Sequence, residues 1–337
     1  MVRSAPRFWK RRGLIAAFLF PLSLLFRGLV ALRRVAFRQG WLRSFDVGVP
    51  VVVVGNIAVG GSGKTPVVIW LVEALRAAGY HPGVVSRGYG GRAEGSLAVE
   101  RDTDPALSGD EPVLLAQRCA CPIWIGRDRV AAVQAMRAVH PEVDVIVTDD
   151  GLQHYRLRRT VEVVVVDAHQ MGNRLMLPAG PLREPVSRLA ECQLVLAHGD
   201  LPPAVRAKCP PAPVFSMRLW PTAFYRLSNP RQRRSPHEFA DRRLRALAGI
   251  GRPERFFATL HDFGLRPVAE EAYPDHHPFT AEDVALRDAD TLVVTEKDAI
   301  KLKAFAPSET WVLPVDAEIR AGALDRVLEH LHGPKTA

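Results

Sequence analysis

The stretch "VVVVGNIAVGGSGKTP", from Val51 to Pro66, decides the fold. Its first half is a run of β-branched residues, which is typical of a buried strand. Its second half matches the pattern G-x-x-x-x-G-K-[ST] from Ala58 to Thr65, with alanine at the first glycine position. A strand that leads through such a loop into a helical pattern predicts a phosphate-binding P-loop.

The chemistry of a P-loop explains the residues found in it. Glycines let backbone N–H groups turn inward around phosphate oxygens, because a side chain would block their approach. Lys64 would neutralise the outer phosphates, and Thr65 would bind Mg²⁺. The predicted nucleotide-binding residues of the loop are Ala58, Val59, Gly60, Gly61, Ser62, Gly63, Lys64 and Thr65.

A second segment, "VDVIVTDDGLQH", ends an apolar run with two carboxylates, Asp149 and Asp150. The carboxyl ends of parallel strands meet at the edge of the sheet where ligands bind. We therefore expect one of the two aspartates to hold Mg²⁺ directly or through water, and the sequence does not decide which.

The order of elements predicts the fold class. Valine-rich strands alternate with helical stretches, which indicates a parallel sheet of the P-loop NTPase type buried between helices. A proline-rich zone then contains two short candidate strands, "VFSMRL" and "AFYRLS", and a smaller α/β pattern follows. We predict an N-terminal segment (1–45), a P-loop domain (46–210), a two-stranded connector (211–236) and a second α/β domain (237–337). The spacing of Thr280 and Asp283 predicts the start of a helix there.

The segment "KRRGLIAAFLFPLSLLFRGLVALRR" is the main basic feature of the chain. Ten of the 45 Lys and Arg residues precede Asp46, which is the first acidic residue, so the net charge of +9 is concentrated there. The uninterrupted apolar run, Leu14 to Phe26, is shorter than the ~20 residues that a spanning helix needs. A cleaved signal and a core helix are alternatives, but the charge favours a helix at an anionic membrane surface, kinked at Pro21.

Composition excludes other classes. The body after Asp46 is close to neutral, which disfavours nucleic-acid binding. The four cysteines show no C-x-x-C spacing, so neither a disulfide framework nor a zinc site is expected. A guanine-specific motif is also not predicted, because the lysine of "TEKD" (Thr295 to Asp298) stands one place late.

Six further motifs follow the P-loop in order: "SRGYGG" (Ser86 to Gly91), "SGDEP" (Ser108 to Pro112), "DDGLQH" (Asp149 to His154), "PAGPLREP" (Pro178 to Pro185), "YPDHHPF" (Tyr273 to Phe279) and "TEKDAIK" (Thr295 to Lys301). Their set and order closely resemble the tetraacyldisaccharide 4'-kinase family over nearly the whole chain. The resemblance implies ATP-dependent phosphorylation, with Mg²⁺, of the 4'-hydroxyl of a tetraacylated glucosamine disaccharide 1-phosphate. It also implies an active site on the cytosolic side of the inner membrane of a Gram-negative bacterium, with this lipid as the partner.

The resemblance implies roles for particular residues as well. Asp110 matches the family's catalytic aspartate, and His276, with His277 as the alternative, matches the histidine that pairs with it. Arg87 could approach the phosphates. By motif match alone, Gln153, His154 and Glu184 are further site candidates. Lys297 and Asp298 could contact the nucleotide or form a structural ion pair, and the sequence leaves this open.

A competing hypothesis is a membrane-associated P-loop NTPase that couples hydrolysis to transport or assembly. It explains the P-loop, the aspartates and the basic N-terminus, but it gives "GDEP" and "DHH" no role.

For the kinase, we expect the second domain to close over the cleft between the domains and exclude water.

Overall fold

The computed structural model describes residues 6–209 and 214–332. In these ranges lie the strands β1 Val51–Gly55, β2 Pro82–Ser86, β3 Ser96–Ala98, β4 Ile123–Gly126, β5 Val145–Thr148, β6 Val161–Asp167, β7 Leu194–His198, β8 Phe215–Pro221, β9 Phe224–Arg226, β10 Asn229–Arg234, β11 Leu244–Ala248, β12 Ala269–Ala272, β13 Thr291–Thr295, β14 Thr310–Leu313 and β15 Val315–Ile319. The α-helices there are α1 Leu14–Arg38, α2 Lys64–Ala77, α3 Pro105–Ser108, α4 Asp110–Arg118, α5 Arg129–Val139, α6 Pro203–Arg206, α7 Pro253–Asp262, α8 Glu296–Leu302 and α9 Ala323–Leu331.

The larger sheet has nine strands in the order β15-β8-β7-β6-β1-β5-β2-β4-β3. Its central strands are parallel, and only the edge pairs β3–β4 and β15–β8 are antiparallel. Apolar clusters lie on both faces, which explains why β1 and β5 consist almost entirely of apolar residues and why β6 contains five valines. The predicted P-loop NTPase-type sheet with flanking helices is confirmed.

The smaller sheet has six strands in the order β10-β9-β14-β13-β11-β12. Strands β12, β11, β13 and β14 are parallel, and β9 and β10 add an antiparallel edge. Its core is built around Trp311, Phe224 and Phe239, which are fully buried. The second α/β unit predicted from the sequence is therefore present.

The connection between the sheets differs from the prediction. Strand β8 pairs with β15 in the large sheet, whereas β9 pairs with β14 and β10 in the small one. The two predicted connector strands thus belong to different sheets, and the chain crosses between them twice, at Pro221–Phe224 and at Leu313–Val315. Residues from Val315 to Leu331, expected in the second domain, return to the large sheet. The expected boundary at 210/211 lies outside the described residues.

Helix α1 runs unbroken from Leu14 to Arg38 despite Pro21 inside it. It is long and apolar enough to cross a membrane, with a mean hydropathy of 2.1 over an 18-residue window that is 11% buried. The length expected from the sequence rested only on the uninterrupted apolar run from Leu14 to Phe26, whereas the helix continues past Arg27 to Arg38. The low burial also contradicts the alternative of a core helix.

The helix predicted at Thr280 does not form. Thr280 and Asp283 make the expected capping contacts, with the Thr280 amide donating to Asp283 Oδ2 at 2.8 Å, but only a turn follows. A capping box supplies only two hydrogen bonds. A helix also needs an apolar face that packs against the protein, so capping contacts alone do not produce one.

Candidate active site

The P-loop connects β1 to α2 at the carboxyl edge of the large sheet. Gly60 and Gly63 have positive φ of 112° and 84°, a conformation that other residues adopt at a cost. Asn56 Nδ2 donates to Ser62 Oγ at 3.0 Å and to the Gly60 carbonyl at 3.3 Å, which fixes the loop from inside. The N-terminus of α2, beginning at Lys64, therefore points at the cradle that the loop encloses.

The rim of the loop is tied to a neighbouring segment. Ala58 is bridged to Leu182, and the Val59 amide donates to the Pro181 carbonyl at 2.9 Å. Gln170 Nε2 donates to the Gly61 carbonyl. Ala58 is buried whereas Val59 and Gly61 are exposed, so the loop is supported on one side and open on the other.

The two aspartates after β5 have different surroundings. Asp150 lies 3.6 Å from Lys64 Nζ and accepts from Arg183 at 2.9 Å, and these charges hold its pKa well below the usual range although burial opposes them. Asp149 is fully buried, and its Oδ1 has no hydrogen-bond partner among the described residues. Burial, with the nearby charge of Glu111, raises the pKa of Asp149 to about 7.

Asp110 and His276 are brought together across the cleft. Asp110 is the first residue of α4 in the large-sheet unit, and His276 lies in the loop after β12 of the smaller sheet. His276 Nδ1 is 3.1 Å from Asp110 Oδ2, and the Asp110 side chain is 4% exposed. His276 has a positive φ of 61°, and the centroid of its ring lies 5.5 Å from that of the Tyr89 ring.

Glycines let the loops around Asp110 approach closely. A Cβ at Gly109 would overlap the Tyr89 carbonyl, and a Cβ at Gly91 would overlap the Leu107 carbonyl. The motifs "SRGYGG" and "SGDEP" therefore form one packed surface, although the sequence separates them.

The pKa values of this pair move in opposite directions. Burial raises the pKa of Asp110, but the hydrogen bond with His276 and the charge of Lys297 outweigh it and lower the value. The same hydrogen bond raises the pKa of His276, opposed by burial and by Lys297. The two groups thus stabilise each other's charged forms.

His277 is directed elsewhere. Its Nε2 is 3.5 Å from Asp283, and its ring packs between Tyr273 and Phe279. Of the two histidines in "DHH", His276 is therefore the one that meets Asp110.

The "TEKD" residues have separate roles. Lys297 Nζ lies 3.3 Å from Glu111 and 3.1 Å from Asp275. Asp298 is fully buried and accepts from the Gly249 amide at 2.9 Å and from Thr295 Oγ1 at 2.7 Å. Asp298 therefore fixes the second unit internally, whereas Lys297 faces the cleft.

Glu184 and Gln153 form a support behind the P-loop, and Glu184 is fully buried. Glu184 accepts from Gln153 Nε2 at 2.9 Å and from Tyr155 at 3.0 Å, and Gln153 also donates to the Asn56 carbonyl at 3.1 Å. Burial, with the charge of Arg129, lowers the pKa of His154 to about 4. Arg87 is exposed and makes no ion pair with a described residue.

Other residues at the site were missed by sequence reasoning. Arg183 contacts both Asn56 and Asp150. The only sequence signal that could have pointed to Arg183 was its position beside Glu184 in the motif "PLREP". Asp167, buried at the end of β6, is 3.5 Å from Arg252 and 2.5 Å from Arg255 of the second unit. Asp167 lies more than eighty positions from both arginines, and a local sequence pattern cannot reveal a contact over that distance in the chain.

The donor set fits Mg²⁺. Within residues 6–209 and 214–332 no group of three or more His, Cys, Asp or Glu side chains could hold a metal ion. Mg²⁺ needs only one or two carboxylates together with phosphate oxygens and water. The Oδ1 atom of Asp149 is buried, has no hydrogen-bond partner among the described residues, and is a donor of the kind that Mg²⁺ prefers.

A P-loop, two strand-end aspartates and a carboxylate–histidine pair formed between the two units define a P-loop phosphotransferase. The family model described as "Tetraacyldisaccharide-1-P 4'-kinase" matches residues 15–332. The chain therefore belongs to the tetraacyldisaccharide-1-P 4'-kinase family, whose members are lipid-sugar kinases.

Curated relatives and a solved structure agree with this assignment. The chain is 53% identical to the tetraacyldisaccharide 4'-kinase of Aromatoleum aromaticum over the whole of both chains. It is 52% identical to that of Azoarcus sp., covering 98% of this chain and 96% of the relative. The crystal structure of the "apo" form of LpxK from Aquifex aeolicus, in complex with ATP, superposes with a TM-score of 0.79 at 23% identity, covering 94% of this chain and all of that one.

Proposed function

We propose that the chain transfers the γ-phosphate of ATP to the 4'-hydroxyl of a tetraacyldisaccharide 1-phosphate and yields the 1,4'-bisphosphorylated lipid. The observation that carries this proposal is the contact of Asp110, in the unit that holds the P-loop, with His276 of the second unit. The family assignment and the relatives' names support the acceptor.

The P-loop residues would hold the triphosphate. Backbone N–H groups of Gly60, Gly61 and Gly63 and the N-terminus of α2 would surround the phosphate oxygens, and Lys64 would neutralise charge that develops during transfer. Asp150 is proposed to orient Lys64, since it lies 3.6 Å from the ammonium.

Thr65 and Asp149 are the residues proposed to hold Mg²⁺. The bound ion would neutralise charge on the outer phosphates. Asp149 is preferred to Asp150 because Asp150 already accepts from Arg183.

Asp110 would accept the proton of the 4'-hydroxyl. Because the pKa of Asp110 is lowered, its carboxylate is ionised near neutral pH and is able to accept a proton. His276 donates to Asp110 and holds it in place. Because His276 belongs to the second unit, the pair is complete only when the two units meet, and water is then excluded from the acceptor position.

The structure of α1 supports action at a membrane. Leu14 and Phe18 are 91% and 82% exposed, whereas Ser23 Oγ on another face donates to the Met176 carbonyl at 2.8 Å. A helix attached to the protein body along one side favours a peripheral or monotopic position over a lipid-surrounded span. We place it at the cytoplasmic face of the inner membrane, where nucleotide is available.

A cavity beside α1 supports an acylated and phosphorylated ligand. It has a volume of about 460 Å³ and lies between α1, α6 and the segment around Met176. Apolar side chains such as Phe20, Leu24 and Val205 line it together with the basic side chains Arg12, Arg27, Arg174 and Lys208. Apolar and basic groups side by side match the acyl chains and phosphate of the lipid.

The test is transfer of labelled γ-phosphate from ATP to tetraacyldisaccharide 1-phosphate in detergent micelles. Labelled bisphosphorylated lipid is expected from the unmodified protein and at least about 100-fold less from Asp110→Asn. Steady phosphate release to water without labelled lipid would instead support the membrane-associated NTPase.

A further inference from the structure

The two ring nitrogens of His276 have partners of opposite charge. Nδ1 is 3.1 Å from the carboxylate of Asp110, and Nε2 is 3.5 Å from the ammonium of Lys297. Lys297 is the second residue of α8, and its side chain is 16% exposed. The ring is therefore held between an acceptor on one side and a donor on the other.

Only one form of the imidazole suits both contacts. An ionised carboxylate accepts hydrogen bonds and cannot donate them, so Nδ1 must carry the hydrogen that faces Asp110. An ammonium donates and cannot accept, so Nε2 must present its lone pair to Lys297. These requirements together describe neutral His276 with its hydrogen on Nδ1.

We propose that Lys297 is a positioning residue that opposes protonation of Nε2 of His276 and so favours Asp110 as the proton acceptor of the pair. This proposal rests on the proposed function, in which Asp110 takes the proton of the acceptor hydroxyl. Lys297 itself touches neither substrate nor nucleotide in this role.

The charged groups around the ring explain why the lysine matters. Asp110 faces His276 from α4, Lys297 faces it from α8, and Asp275 precedes it with Oδ2 3.8 Å from Nε2. Tyr89 covers the ring, and Glu111 lies on the far side of Lys297. Without the lysine, the two carboxylates of Asp110 and Asp275 would face the imidazole unopposed, and their charge would favour the imidazolium.

Lys297 is suited to oppose that outcome. Burial disfavours its charge, but Glu111, Asp110 and Asp275 outweigh burial and raise its pKa, so the side chain stays an ammonium. The charge of Lys297 in turn lowers the pKa of His276, against the hydrogen bond with Asp110 that raises it. The lysine therefore limits how far the imidazolium is populated near neutral pH.

The protonation state of His276 decides how Asp110 behaves as a base. An imidazolium would donate a charge-assisted hydrogen bond and compensate the carboxylate's charge, which lowers its affinity for another proton. Neutral imidazole donates a weaker bond and leaves the carboxylate's charge available. Activity should therefore rise with pH as His276 loses its second proton.

The first test reads His276 directly. Protein with ¹⁵N-labelled histidine, in detergent micelles, is titrated by long-range ¹H–¹⁵N spectra, and the His276 signal is assigned by its loss in His276→Gln. We expect the neutral ring to carry its hydrogen on Nδ1, Lys297→Met to titrate at higher pH than the unmodified protein, and Lys297→Arg to remain close to it. An unchanged titration in Lys297→Met, or a neutral ring with its hydrogen on Nε2, would overturn the proposal.

The second test is the pH profile of kcat/KM for lipid phosphorylation. Lys297→Met should move the acidic limb to higher pH, with about a tenfold loss at low pH for each unit that the pKa rises, a smaller loss at pH 9 and little change in KM for ATP. Lys297→Arg should restore the limb. Glu111→Gln, followed in the His276 titration, is the matched control, because it removes the contact of Lys297 with Glu111 of the other unit and leaves the lysine beside His276.

The same alkaline shift in Glu111→Gln as in Lys297→Met would mean that Lys297 only docks the two units, which would overturn the proposal. The spectra separate this proposal from the proposed function. If the unmodified protein formed no phosphorylated lipid, the function would fail, while the His276 titration would still decide the effect of Lys297.

Discussion

At the scale of single residues, burial determines how much a carboxylate contributes to the stability of the fold. Glu184 has a side chain that is 1% exposed, and it holds Gln153, Tyr155 and Arg188 together. Removing one member of a buried polar network leaves the others unpaired, so Glu184→Ala should lower the free energy of unfolding by about 3 kcal/mol. Urea unfolding in a mild detergent measures this.

Glu329 offers the matched control for that change. Its side chain is 61% exposed and pairs with Arg326 one helical turn away. Pairs of this kind contribute at most about 0.5 kcal/mol, so Glu329→Ala should unfold almost as the unmodified protein does. Equal stability of Glu184→Ala and Glu329→Ala would show that the buried network is not needed for the fold.

His154 makes stability depend on pH in acid. Burial, with Arg129 nearby, lowers its pKa from 6.5 to about 4, so folding favours the neutral ring. A lowered pKa contributes stability that is complete above the unfolded value of 6.5 and is lost as pH falls toward 4. His154→Gln should therefore lose less Tm between pH 7.5 and pH 5 than the unmodified protein. Parallel losses in the two proteins would contradict this origin.

At the scale of elements, α1 is the part whose packing is incomplete. Phe18 and Leu25 are 82% and 62% exposed, although both are apolar. Each large apolar side chain placed in lipid contributes about 1.5–3 kcal/mol, so the pair Phe18→Asp/Leu25→Asp should reduce vesicle binding more than about tenfold. Flotation with vesicles of phosphatidylethanolamine and phosphatidylglycerol measures the bound fraction.

Val139 provides the control on another helix. It is 62% exposed, as Leu25 is, but it ends α5 in the body of the protein. Val139→Asp should leave vesicle binding unchanged, and circular dichroism should show that all variants remain folded. Undiminished binding of the α1 variant would mean that the basic residues alone hold the protein at the surface.

Elements that depend on local sequence could be predicted. The assignment of a strand to a sheet could not, because it depends on which distant strand it pairs with. The P-loop needs Gly60, Gly63 and Lys64 in a fixed local order, so the sequence locates it, and the helical pattern expected after the loop is helix α2, which begins at Lys64. The capping contacts at Thr280 also formed as predicted, but no packed helix followed. Strand β15 could not be assigned to a sheet, because pairing with β8 joins residues about a hundred positions apart.

The same limit applies to the candidate site. Asp110 and His276 are 166 positions apart, and only the resemblance to a family paired them. Lys297 and Glu111 are 186 positions apart, and nothing in either local sequence indicates the contact. Long-range pairs of charged groups are selected by the packed fold, since isolated surface pairs contribute little by themselves.

At the scale of the whole molecule, one buried ion pair lies beside the two chain crossings. Arg118, at the end of α4, donates to both carboxylate oxygens of Glu296 at 2.7 and 2.8 Å and also contacts Asp316 of β15. Glu296 begins α8 of the smaller sheet unit and also accepts from the Val315 amide at 3.3 Å. Arg118 therefore joins both units and the segment that connects them.

Breaking this pair should weaken the coupling between the units. Arg118→Met leaves the buried carboxylate of Glu296 without its cation, which should cost about 3 kcal/mol. Glu296→Met should cost less, because Arg118 keeps Asp316. The double variant Arg118→Met/Glu296→Met should be more stable than Arg118→Met alone, since no unpaired charge remains, with a coupling of about 0.5–3 kcal/mol.

Urea unfolding of the four proteins closes this double-mutant cycle and also reports on cooperativity. If the pair joins the units, the single variant Arg118→Met should separate one unfolding transition into two, because each sheet has its own core and can unfold alone. The double variant should return toward one transition. Additive losses with a single transition in every variant would mean that the other contacts across the cleft, including Arg255 with Asp167, already couple the units.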